Sequence, residues 1–498
     1  MADIYGIDLG TTNSCIALMG EDGEPHILEN FDGYPTTPSV VYFDDGGNVL
    51  VGDDAKALMG GDPENTVAFI KREIGNPNYK RTIQGENITP LMISAMILKK
   101  LVKDANDLRE QDGLSPIHKA IITVPAYFGS TECAITRQAG ELAGLEVIKL
   151  LPEPTAAAIS YGMKDLEGKT FMVYDLGGGT FDVSIMRAKN GHFEELSNDG
   201  DHHLGGVDWD VALANYAFQQ CGIGIDFDEI RGTKEAGSIL LAAERTKKLL
   251  SQNEFSNFSF RYNRTPYTAK ITRAAFNELM ESSVDNTIMM MKNAIRHSKV
   301  PLTANDIEEI ILVGGSSFMP MIREAIKAAF PNATVRLDRM KPNLAVAEGA
   351  AIAATLKDDA PTPLSSCSYG VGCEANGQSI SYHLITRGDK YGTVGEDKFI
   401  TRDDNSTSVS IKVLADRSYD AEVSAIKCKC LASKALTWGF PVPKGTRIDV
   451  KFNLTEDGIL KVTGVCSGET INFELDVEGA SEDEVEDARR DINSRRIG

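Results

Sequence analysis

The chain has 498 residues, 42% apolar and 25% charged, and carries a formal charge of −21. That length exceeds what one hydrophobic core supports and implies two to four domains. The acidity excludes a protein held mainly on nucleic-acid phosphates or anionic membrane, because no basic run offsets it.

"MADIYGIDLG" lacks the basic-then-apolar pattern of a signal peptide, and no run of about 18 apolar residues is present to span a bilayer. Eight cysteines in a chain this long do not make a disulfide framework, so the cytoplasm is the expected compartment. Ile4–Met19 reads as strand, Gly-Thr turn and strand, and "SVVYFDDGGNVLVG" as a hairpin on a Gly-Gly turn. Pro90–Leu108 has helical periodicity with proline in its first turn. "KAIITVPAYF" is a buried strand ending at Pro125, and "TECAITRQAGELAGL" a helix. A strand at Ile310–Val313 meets a Gly-Gly-Ser-Ser turn and a helix, and "NLAVAEGAAIAATL" is a close-packing apolar helix.

Composition shifts at Lys357–Ser368, where three charges, two prolines and three serines mark a linker. Beyond it, short alternating strands separated by turn residues predict an antiparallel β-sandwich. The "CKC" of Cys428 and Cys430 should place its residues on alternate strand faces, with no second pair to complete a metal site. The tail opens on a Ser-x-x-Glu capping pattern and supports one short helix. The expected organisation is a two-lobed α/β domain at 1–356, a linker at 357–367, a sandwich at 368–479 and a short helix at 480–498.

"GIDLGTTNSCIALM" and "VYDLGGGTFDVSIM" repeat apolar-Asp-Leu-Gly followed by a returning strand, 167 residues apart. This implies two similar lobes, each offering one glycine-rich hairpin. Glycine in a strand context is costly unless something must approach the backbone, and a triphosphate cradled by N–H groups is such a thing. Gly10, Thr11 and Thr12 would face Gly177, Gly178, Gly179 and Thr180 across it. Asp8, Asp175 and Asp182 would repel phosphate unless a hydrated Mg²⁺ stood between. The alternative is that both elements are tight core turns whose aspartates cap neighbouring N–H groups. Neither the P-loop nor the Gly-x-Gly-x-x-Gly pattern occurs at these positions.

"GIDLGTTNS", "ITVPAYF", "EPTAAAISYG", "DLGGGTFDVS", "HLGGVDWD", "ERTKKLLS" and "LVGGSSFMP", in this order, resemble the ATPase domain of the DnaK-type heat-shock chaperones. The resemblance covers about residues 3–356 strongly and the sandwich more weakly. It implies an actin-like ATPase domain binding ATP or ADP with Mg²⁺, with K⁺ as a further ion. Lys71 and Glu153 would arrange the attacking water, with Asp175 and Thr180 beside the γ-phosphate. The same resemblance assigns Asn13, Gly205 and Gly206 to the phosphate site. Glu244, Lys247, Lys248 and Ser251 match the adenosine helix, and Gly314, Gly315 and Ser316 the opposing loop. Asp8, Asp175 and Asp182 would hold Mg²⁺ mostly through its waters.

Several positions depart from the family pattern. Phe318 replaces an arginine that packs on the base, and can stack on adenine without supplying charge. Asn343 and Leu344 replace an Asp-Glu pair. The Gly75–Pro90 stretch is short, as in the divergent branch of these proteins. Glu132-Cys133 stands where Gln-Arg relays between domains, and Ala360, Pro361 and Thr362 replace a leucine-rich linker. Leu384, Phe399 and Val409 align with the peptide groove, and Glu374 and Arg402 with the arch over it. As isolated β residues, the apolar three read first as core packing.

The implied function is an ATP-hydrolysing chaperone that couples nucleotide state to binding of unfolded or extended polypeptide. J-domain and GrpE-like co-chaperones are its implied partners, with no nucleic acid and no membrane. The competing reading is an ATP-dependent regulatory module for one dedicated partner, with weak coupling between domains.

Overall fold

The computed structural model describes residues 3–189, 192–336, 341–356, 364–375, 377–466, 469–476 and 479–498. Most of the expected linker, 357–363 with Ala360, Pro361 and Thr362, lies outside the described residues.

The repeat seen in the sequence becomes two equivalent sheets. In the first lobe Tyr5–Asp8 pairs antiparallel with Asn13–Met19 and parallel with Lys119–Val124, which in turn pairs parallel with Glu146–Pro152. In the second, Thr170–Leu176 pairs antiparallel with Phe181–Lys189 and parallel with Glu309–Val313. Each hairpin turns at its glycines beside a parallel strand, so both turns open at one end of their sheets. That end is where ligands bind in open α/β sheets.

Helices cover these sheets for the reasons that periodicity gave. Pro90–Gln111 begins after Thr89, whose hydroxyl accepts from Met92 N, and buries Leu91, Ile93, Met96, Ile97 and Leu101. Ala345–Ala353 crosses Glu153–Tyr161 at backbone contact: a Cβ on Gly349 would stand 1.7 Å from Ala156 O. Leu344 fills a small core with Cys15, Ala17, Ala347 and Ala351, a packing role its charged family counterpart would not have. The short Gly75–Pro90 stretch keeps a small hairpin, Arg81–Ile83 with Glu86–Ile88, turning at Gln84 and Gly85, both with positive φ.

The sandwich consists of a five-stranded and a four-stranded sheet around Val371, Ile385, Val413, Val450, Phe452 and Val462. Cys428 precedes the strand Lys429–Val442 that contains Cys430, and no group of described His, Cys, Asp or Glu side chains placed to hold a metal surrounds either of them. The seven cysteines described are all free.

The sandwich packs directly on the lobes. Ser366 Oγ donates to Tyr127 O at 2.9 Å, Ser130 N to Tyr369 Oη at 3.0 Å, and Leu460 N to Ser130 Oγ at 2.6 Å. Arg137 pairs with Asp457 at 2.6 Å, and Leu364 N donates to Glu195 Oε2 at 3.0 Å. Cys133, on the helix that Ser130 begins, is buried, and the joint around it combines these backbone and hydroxyl contacts with the Arg137–Asp457 pair. No described helix is long and apolar enough to cross a membrane.

Candidate nucleotide site

The two glycine turns meet face to face across a cleft with a cavity of about 210 Å³. A Cβ on Gly178 would stand 1.8 Å from Thr12 Oγ1, and one on Gly179 2.3 Å from Thr11. A Cβ on Gly205 would meet the backbone of Gly178 and Gly179 at 2.7 Å. These approaches explain why side chains are excluded here. Ser39 Oγ donates to Gly10 O at 2.7 Å, and Ser316 Oγ to Gly177 O at 2.8 Å, holding each turn from outside.

Lys71 enters from the first lobe. Phe69 takes a left-handed φ of 61°, uncommon for an aromatic residue, and the 3₁₀ turn Ile70–Glu73 that follows carries Lys71 into the cleft. Its Nζ lies 2.5 Å from Glu153 Oε1, with both side chains buried. Glu153 opens the helix Glu153–Tyr161 at the end of a parallel strand. Burial opposes the Lys71 ammonium, but the carboxylates of Glu153 and Asp8 outweigh it and its pKa is raised.

The aspartates respond in the opposite sense. Burial, with Glu153 next, pushes Asp8 up to about 7, and Asp175 and Asp182 well above the carboxylate range for the same reasons. Four carboxyl groups thus share one ammonium, a site short of positive charge. Thr12 Oγ1 and Asp182 Oδ1 are buried with no hydrogen-bond partner in the protein. Hard oxygen donors around an uncompensated negative field suit a hydrated divalent cation, so the residues present fit Mg²⁺. Thr180 is also buried, beside Tyr127.

Of the expected residues, Asp8, Gly10, Thr11, Thr12, Asn13, Lys71, Glu153, Asp175, Gly177, Gly178, Thr180, Gly206, Glu244, Lys247, Lys248, Gly314, Gly315 and Ser316 line this one cleft. Gly179, Asp182 and Gly205 lie just behind it, packed on the lining residues. Two are not brought in. Ser251 caps its own helix by donating to Lys248 O, and Phe318, the last residue of the turn Gly315–Phe318, is 43% exposed and falls outside the lining. Asn343 lines the cleft, beside Pro342 and Val346.

Two residues that join the lobes, and one that braces the second lobe's side of the cleft, carry no sign of it in the sequence. Arg72 Nε donates to Gly179 O at 2.8 Å and its guanidinium pairs with Asp208. Lys56 Nζ lies 2.7 Å from Glu244 Oε2 and clasps the cleft from the opposite lobe. Asp210 pairs with Lys247 at 2.8 Å; burial raises its pKa to about 6 although Lys247 opposes this.

In the sandwich, Leu384, Phe399 and Val409 are half-buried against the core. Glu374, near the tip of one hairpin, and Arg402, on the loop after Val394–Ile400, form an ion pair at 2.5 Å with both side chains exposed.

The family model described as Hsp70 protein matches residues 4–496, nearly the whole chain.

Proposed function

The chain belongs to the Hsp70 family, and from that premise we propose that it hydrolyses ATP to ADP and phosphate and couples nucleotide state to the binding of extended polypeptide. The observation that carries this reading is the buried Lys71–Glu153 pair set between two glycine turns, one from each lobe. Backbone N–H groups of Thr11, Thr12 and Gly178–Thr180 take the phosphates, while Glu244, Lys248 and the Gly314–Ser316 turn bracket the nucleoside end. Lys71 supplies positive charge where the γ-phosphoryl leaves, and Glu153 fixes the ammonium and orients the attacking water. Thr180, buried in the lining of the same cleft, supplies a hydroxyl beside the phosphates. Bound through Asp8, Asp175 and Asp182, Mg²⁺ would neutralise the phosphate charge.

The polypeptide-binding half rests on the sandwich, with Leu384, Phe399 and Val409 as the groove and Glu374 and Arg402 as its arch. An ion pair in place of an apolar arch favours clients that tolerate charge there, and it also favours the second reading, a module serving one dedicated partner. A panel of unfolded peptides separates the two: stimulated turnover with many peptides supports the general chaperone, stimulation by none the dedicated module. J-domain and GrpE-like factors, K⁺ and a cytoplasmic location belong to the same proposal.

A further inference from the structure

The C-terminal segment does not stay with the sandwich. Gln138 clamps Ala480 from both sides, donating from Nε2 to Ala480 O at 3.1 Å and accepting from Ala480 N at 2.8 Å. The helix Glu482–Ser494, capped by Ser481, buries Ala488 and Ile492 in the core of the first lobe. Lys99, on Pro90–Gln111, donates to Ile492 O at 3.4 Å. Arg495 lies over the Phe43 ring at 5.0 Å and pairs with Asp491 at 2.7 Å.

The last residues then add a strand. Arg496–Ile497 runs parallel to Asn48–Val51, in register Arg496 with Asn48 and Ile497 with Val49. Gly498 N donates to Val49 O at 3.0 Å, Val51 N donates to Gly498 O at 3.3 Å, and Ile497 is buried. Without this strand, Asn48–Val51 is the edge of its sheet, with unpaired backbone groups facing outward.

We propose that residues 479–498 are an intramolecular strap that fastens the far end of the sandwich to the first lobe. The sandwich is then held at both of its ends, and the strap stays fastened in the ADP state as well as the ATP state. Interdomain signalling in this chain works by small shifts within a docked assembly, because full separation requires the strand to leave its sheet.

The test uses the full chain without nucleotide, with ADP and with a non-hydrolysable ATP analogue. Hydrogen exchange should show residues 49–51 equally protected in all three, and small-angle scattering a radius of gyration near that of a compact chain of this length, about 23 Å. Ile497→Asp and, separately, Ile492→Asp should deprotect residues 49–51 and enlarge the particle. Asn48→Cys with Arg496→Cys, oxidised by a disulfide reagent in the Ile492→Asp background, should restore compactness. Loss of protection or expansion of the intact chain with ADP overturns the proposal, as do variants that remain as compact and protected as the parent. The nucleotide-free sample reads the strap even if nucleotide binding itself fails, so the two failures are distinguishable.

Discussion

Replacing Lys71 by alanine probes the site at its electrostatic centre. Asp8, Glu153, Asp175 and Asp182 face one ammonium, and its removal leaves Glu153 buried without its 2.5 Å partner. At that separation the Coulomb attraction is about 7 kcal/mol for an effective dielectric of about 20, and desolvation of both ions takes most of it back. Removing one side of such a buried pair costs about 3–5 kcal/mol, so nucleotide-free Lys71→Ala should unfold at clearly lower denaturant concentration. Lys71→Met with Glu153→Gln removes both charges and should recover much of that stability. Hydrolysis should not recover: single-turnover cleavage of radiolabelled ATP should be at least tenfold slower in both variants, about 1.4 kcal/mol in the transition state, while ATP still binds. A Lys71→Ala protein that binds and cleaves ATP at the parent rate would refute the role assigned to this ammonium.

Lys56 and Glu244 join the lobes across the cleft mouth in a partly buried pair. Lys56→Ala should therefore speed nucleotide dissociation by roughly fivefold, the equivalent of about 1 kcal/mol, in a stopped-flow displacement experiment. Burial works against the Glu244 carboxylate, but Lys56 and Lys248 outweigh it and hold the pKa at about 2 rather than 4.5. Because the folded value is depressed, this contribution, about 3 kcal/mol at most, is complete above pH 4.5 and lost as pH falls towards 2. Glu244→Gln should flatten stability across that acid window. Gly178→Ala places a Cβ 1.8 Å from Thr12 Oγ1 and should weaken ATP binding at least tenfold by calorimetry, with the sandwich intact by circular dichroism. The exposed Glu374–Arg402 pair is worth at most about 1 kcal/mol. Arg402→Ala should change peptide dissociation by less than about fivefold, and the swap Glu374→Arg with Arg402→Glu should restore it; no recovery in the swap would argue against a latch made by this pair.

The lobes were legible because their signals are local. Asp-Leu-Gly turns and alternating apolar strands announce a hairpin within a dozen residues, and the second copy announces the second lobe. Residues whose roles depend on distant partners were not legible. Arg72 looks like any surface arginine until Gly179 and Asp208 arrive from the other lobe, and Lys56 until Glu244 does. Arg496–Ile497 is too short for any periodicity and gains meaning only beside Asn48 and Val49. Phe318 shows the converse: an apolar residue in the right motif, turned outward by the geometry of a four-residue turn.

The proposed activity requires a triphosphate held between the two glycine turns with a divalent cation among the aspartates. Titrating the full chain with ATP in a calorimeter, with Mg²⁺ and then with excess chelator, reads this directly. Saturable one-to-one binding that weakens sharply on chelation is the expected result. A folded protein that takes up no ATP with Mg²⁺ present would contradict it.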